Sequence, residues 1–188
     1  MIASASGCGK TTVSRALAKR LDVPFVELDA LNHGPGWTEV TADELRARVA
    51  PLVTRDGWVI DGAYRSKLGD LVLEAADTVL WLDLPRRQWV PRLLRRTIRR
   101  IVRREELWGG NRETFRNAFL HRDGLVRFAW RNYAVRRATY PAELARFQVL
   151  RLRSQREVDL WLASIPRATL SADEAARPPA PRAPRAGP

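Results

Sequence analysis

The sequence predicts an α/β fold: a three-layer sandwich around a five-stranded parallel sheet, with an Arg-rich helical lid inserted late in the chain. Three observations carry this expectation. Short apolar runs alternate with amphipathic stretches, the pattern of parallel strands joined by crossover helices. A glycine-rich loop follows the first apolar stub and opens the first helix. A long helical stretch, about 86–140, separates the last two strands and exceeds what a simple crossover needs.

Each element has a local justification. Met1 to Ala3 is read as the end of the first strand. A strand usually has about five residues, so this one is expected either to be weak or to continue upstream of Met1. Ser4-Ala5-Ser6-Gly7-Cys8-Gly9-Lys10-Thr11 then fits G-x-x-x-x-G-K-[ST], except for Ser4 at the first glycine position. Val13, Leu17 and Leu21 recur at helical spacing, which predicts a helix to about Arg20. Pro24 to Leu28 reads as the second strand, ending at Asp29. Thr41-Ala42-Asp43-Glu44 is a capping box that opens a helix to about Val53.

Gly57 to Asp61 and Thr78 to Asp83 are near-continuous apolar runs ending in an acid, as expected of strands buried on both faces. Phe147 to Leu152 completes the sheet and Gln155 to Ile165 closes the domain. The domain is therefore 1–167, with its lid at about 86–140. Residues 168–188 are rich in Pro, Ala and Arg and carry too little apolar content to fold. Right-handed crossovers bring the strand C-terminal ends, and so Ser4, Asp29, Asp61 and Asp83, to one edge of the sheet.

At 188 residues the chain is one domain, and its 45% hydrophobic and 29% charged residues are ordinary for a globular protein. No apolar run approaches the roughly 20 residues of a membrane span, and nothing at the N-terminus resembles a signal peptide. One cysteine excludes a disulfide framework and a cysteine-rich metal site. A cytoplasmic location is expected. The net charge of +12 is concentrated in arginines between Arg86 and Arg137. Such a patch suits nucleic acid or a polyphosphate, and composition alone does not choose between them.

The loop does choose a chemistry. Glycines let successive backbone N–H groups turn toward an anion, and the following helix N-terminus adds partial positive charge. Ser6, Gly7, Cys8, Gly9, Lys10, Thr11 and Thr12 are the expected nucleotide-binding residues, with ATP and Mg²⁺ as ligands. Lys10 reaches the β- and γ-phosphates, the Thr11 hydroxyl ligates Mg²⁺, and Asp61 supports the metal, directly or through a water.

Ile60-Asp61-Gly62-Ala63-Tyr64-Arg65 resembles the Asp-Gly-x-x-Arg strand of the adenylate-kinase-like P-loop kinases. The chain looks closest to a bacterial branch of topology modulation or adenylate-kinase-related proteins. It shares Glu27-Leu28-Asp29-Ala30-Leu31, Pro35-Gly36-Trp37, Trp58-Val59-Ile60-Asp61-Gly62, Leu82-Asp83-Leu84-Pro85 and Trp108-Gly109-Gly110-Asn111-Arg112-Glu113. The resemblance implies a P-loop NTPase sandwich of strand order 2-3-1-4-5, with Arg65 on an acceptor phosphate. It also implies lid arginines, Arg104 and Arg112, that close on the transferring phosphoryl group about a Gly109-Gly110 hinge. Asp29 is the expected base at the acceptor, and Trp37 stacks on an acceptor ring or packs as an anchor. Shikimate kinases have a second acid two residues beyond this position, where the chain has Leu31. Asp83 is expected to cap the helix that Pro85 starts.

The function expected is ATP- and Mg²⁺-dependent phosphoryl transfer to a small-molecule acceptor. The alternative is a nucleotide-dependent nucleic-acid-binding or regulatory protein. The chain lacks helix-turn-helix, zinc and aromatic RNA-binding signatures, and it has no Asn-Lys-x-Asp guanine motif.

Overall fold

β1 (Ile2–Ala3) is two residues long and runs straight into the phosphate loop at Ser4. The structure, a computed structural model, describes residues 1–121 and 124–168, so the tail expected at 168–188 lies outside the described residues beyond Ala168. After the loop come α1 (Lys10–Leu21), β2 (Phe25–Glu27), α2 (Leu28–Asn32) and α3 (Ala42–Val53). β3 (Val59–Asp61) is followed by two single-turn helices, α4 (Arg65–Leu68) and α5 (Leu71–Glu74). β4 (Val79–Leu82) leads into the lid, whose main helices are α6 (Arg86–Arg103) and α7 (Leu125–Glu143). β5 (Val149–Leu152) and α8 (Gln155–Ser164) complete the order.

All strand pairs are parallel, but they form two sheets, β1-β4-β5 and β2-β3, rather than one of order 2-3-1-4-5. The physical reason lies in β1. Ile2 and Ala3 pair with Trp81 and Leu82 on the β4 side. Toward β3 the chain supplies only two backbone hydrogen bonds, Met1 N to Ile60 O at 2.8 Å and Gly62 N to Met1 O at 3.0 Å. Two residues are too few to sustain a ladder on both sides.

Helices cover both faces, which is why the strands read as unbroken apolar runs. Val79 and Trp81 of β4 pack with Leu73 of α5 and Leu144 after α7. Leu80, pointing the other way as the strand period requires, packs with Leu17 and Ala18 of α1 and Leu162 of α8. Leu28, Leu45, Val49, Ile60 and Leu68 form a further core beneath β3.

The capping box forms as expected. Thr41 Oγ1 accepts from Glu44 N at 3.2 Å, and Glu44 Oε2 accepts from Thr41 N at 2.8 Å. That backbone hydrogen bond holds the Glu44 carboxyl below its usual range. A depressed carboxyl pKa stabilises the fold above the unfolded value and loses that effect as pH falls through the folded one. Urea unfolding should therefore show Thr41→Ala costing about 1 kcal/mol. Glu44→Gln should cost stability at neutral pH and progressively less in acid; a Glu44→Gln effect independent of pH would contradict the cap.

Candidate active site

The phosphate loop is shaped by its glycines at two places. Gly9, left-handed at φ 84, caps α1 so that the helix opens at Lys10 with no acid in its first turn. That leaves the partial positive charge of the helix N-terminus facing the loop. Gly7, at φ 88, lies against α6: a Cβ there would meet Trp89 O at 2.7 Å and Leu93 Cβ at 2.9 Å. Gly7 therefore serves close approach by a neighbouring helix as well as loop curvature.

Both ends of the loop are tied to buried carboxylates. Lys10 Nζ pairs with Asp61 Oδ1, and Thr11 Oγ1 donates to Asp61 Oδ2 at 2.6 Å. Asp61 is 1% exposed, and a charge so buried needs partners such as these. At the other end, Ser4 replaces the expected glycine and is fully buried. Its hydroxyl donates to Asp83 Oδ1 at 2.8 Å and accepts from Trp81 Nε1 at 2.8 Å. Asp83 also pairs with Arg151 at 2.5 Å and Arg137 at 3.0 Å. It does not cap α6, which begins after Pro85 with no side-chain cap.

Ser6, Gly7, Gly9, Lys10, Thr11 and Thr12 line a cleft of about 1740 Å³ that also contains Asp29, Trp37 and Arg65. Cys8 departs from its expected place. Its side chain is 2% exposed and packs in the core near Leu84, Trp89 and Leu93, so only its backbone serves the loop. Burial pushes its thiol pKa up.

The arginines of the lid are rearranged relative to expectation. Arg104 ends α6 as an exposed residue with a left-handed backbone, φ 49, and Arg112 pairs with Glu106 at 2.5 Å. The cleft is instead lined by Arg92, Arg96, Arg99 and Arg100 of α6 and by Arg136 of α7. The buried stripe of α6 is Trp89, Leu93 and Thr97 at i, i+4 and i+8. On the same helix Ile98 and Val102 are exposed. The Trp89-Leu93-Thr97 spacing was a signal available in the sequence, and it places Arg92 and Arg96 beside the loop.

Arg96 has no carboxylate partner among the described residues, and its Nε is buried without a hydrogen bond. Burial, with Arg100 adding to it, holds its pKa below the ordinary guanidinium value, while Glu113 and Asp29 oppose the shift. Arg65 is committed elsewhere: it bonds Asp70 at 2.6 Å and Glu143 at 2.5 Å. Gly109 is a docking point between loops, since a Cβ there would lie 2.6 Å from the Gly34 carbonyl carbon.

Asp29 lies in the first turn of α2, two residues past β2. Its Oδ1 accepts from Tyr64 Oη at 2.6 Å. Burial, then Asp29, push the Tyr64 phenol above its ordinary pKa, which keeps it a donor. Among the described residues no donor bonds Asp29 Oδ2, and Asp29 borders the cleft.

The donor set around Thr11 and Asp61 is two hard oxygens. That fits Mg²⁺, which takes one or two protein oxygens and completes its shell with phosphates and water. Among the described residues no group of three or more His, Cys, Asp or Glu is arranged to hold a metal alone. None of their helices is long and apolar enough to cross a membrane.

The buried position of Cys8 is directly checkable. A thiol reagent at pH 8 should label it slowly in the folded protein and quickly in urea; rapid native labelling would contradict the packing.

The profile of the shikimate kinase family matches residues 6–33, the stretch holding most of the loop, α1, β2, α2 and Asp29. No curated protein matches the chain. The matched stretch is short, and it marks a P-loop, kinase-like, nucleotide-binding segment whose loop and acid meet in one cleft.

Proposed function

We propose that the chain is an ATP- and Mg²⁺-dependent kinase of the adenylate-kinase-like class, in the topology modulation branch, acting on a small molecule. One observation carries the reading: Lys10, Thr11 and Asp61 converge at the start of α1, and the loop shares its cleft with Asp29 and Arg96.

The loop amides and Lys10 hold the triphosphate, and Arg92, Arg96 and Arg99 approach from α6. Thr11 and Asp61 would hold Mg²⁺, which would supply charge neutralisation at the phosphates. The acceptor hydroxyl attacks the γ-phosphorus as the bond to the β–γ bridging oxygen breaks, and its proton passes to Asp29 Oδ2. Tyr64, donating to Oδ1, aims that carboxylate. ADP and the phosphorylated acceptor leave.

The chain's +12 charge also suits a nucleic acid, and Arg86 lies over the half-exposed Trp130 ring at 4.4 Å. The depression beside it is formed by Arg86, Arg137 and Arg151, of which the last two already pair with Asp83. The kinase reading is therefore preferred.

Phosphoryl transfer measured with purified variants tests it. Lys10→Ala should lower kcat/KM by about a hundredfold or more, and Arg96→Ala by about a thousandfold. Asp29→Asn should lose about a hundredfold in kcat while MgATP affinity stays. Equal loss of ATP affinity in Asp29→Asn would move Asp29 to the metal shell, and unchanged turnover in Lys10→Ala would overturn the reading.

A further inference from the structure

The cleft extends past Asp29 to a wall of aromatic rings that the phosphate site does not use. His33 and Trp37 come from the segment after α2, and Trp108 comes from the lid. The His33 and Trp108 rings are stacked at 5.9 Å and 26°, and Trp37 meets His33 edge-on at 5.7 Å and 77°. All three rings are half-buried and border the cleft.

The fold holds this wall in place at a cost. Trp37 and Tyr64 have left-handed backbones, φ 60 and 46, a conformation expensive for ring-bearing residues. Asn111, buried between the two loops, maintains the first of these. Its Oδ1 accepts from Trp37 N at 2.9 Å, and its Nδ2 donates to Gly34 O at 2.7 Å and Trp108 O at 2.6 Å. His33 Nε2 lies 3.4 Å from Tyr64 Oη, while its Nδ1 is buried with no hydrogen-bond partner among the described residues.

Among the described residues, Lys67, Arg112 and Arg65 near the wall are already paired, and Arg96, which is not, is assigned above to the triphosphate. Lys67 directs its ammonium to Glu39 at 2.8 Å, Asn32 Oδ1 at 2.7 Å and Val40 O at 2.7 Å, which uses all three of its protons. Arg112 pairs with Glu106, and Arg65 with Asp70 and Glu143. A phosphate nucleophile would need cations and no base. The acceptor position here offers a carboxylate, Asp29, whose Oδ1 is held by Tyr64.

Resting on the kinase reading above, we infer that the acceptor is a phosphate-free hydroxyl compound carrying an uncharged planar ring, of nucleoside type. The hydroxyl meets Asp29 and the ring lies on the Trp37-His33-Trp108 wall. Arg65 acts as a structural ion-pair residue.

The test uses the full chain with MgATP and two acceptor panels, ribonucleosides and the corresponding nucleoside monophosphates, followed by product detection. Transfer should go to one or more nucleosides and not to the monophosphates. Trp37→Ala should raise the nucleoside KM about tenfold or more with kcat little changed, and Trp37→Phe should recover most of the loss. Trp108→Ala, from the other loop, guards against a local folding defect at residue 37 and should act the same way. A fluorescent ATP analogue titrated in parallel separates the two levels. No nucleotide binding overturns the kinase reading itself. Nucleotide binding with transfer to a monophosphate, or with no transfer to any nucleoside, overturns this inference alone.

Discussion

A buried carboxylate, Asp61, joins the phosphate loop to β3 where the backbone connection between the two sheets is thinnest. Among the described residues, the backbone hydrogen bonds of Met1 link the start of the chain to the β3 segment, and the side chains of Lys10 and Thr11 add a second tie across the same gap. Removing one partner of such a buried pair strands the other charge, typically at about 3–5 kcal/mol. The residues proposed to handle phosphate and metal are thus also those that hold the sheets together, so function and fold share one electrostatic joint.

The other end of the loop explains a departure from its motif. A glycine at position 4 would leave the Trp81 indole N–H and one oxygen of Asp83 without the hydroxyl they share. Ser4 satisfies both, and Arg137 and Arg151 neutralise Asp83. Between these two anchored ends, Gly7 accepts the close approach of α6. That contact fixes which arginines of the lid border the cleft.

Local features were legible in the sequence. The Gly-rich loop, the capping box at Thr41 and Glu44, the apolar β4 run and the start of α8 after Ser154 all follow from short-range chemistry. What was illegible depends on partners distant in the chain. Arg65 is captured by Glu143, and Trp37 meets Trp108 through Asn111. Arg104 and Arg112 do not border the cleft, whereas Arg92 and Arg96 do, because α6 docks Trp89 and Leu93 on Gly7. The shortness of β1 was legible, but the split of the sheet into three strands plus two depends on the stub pairing with β4 and not β3, which local patterning does not decide.

The central claim is that Lys10, Thr11 and Asp61 form a magnesium-assisted triphosphate site. Calorimetric titration of the full chain with ATP, with and without Mg²⁺, tests it most directly. The account predicts saturable binding that weakens by about tenfold or more when Mg²⁺ is withheld. A flat titration with MgATP, or the same affinity with and without the metal, would contradict it.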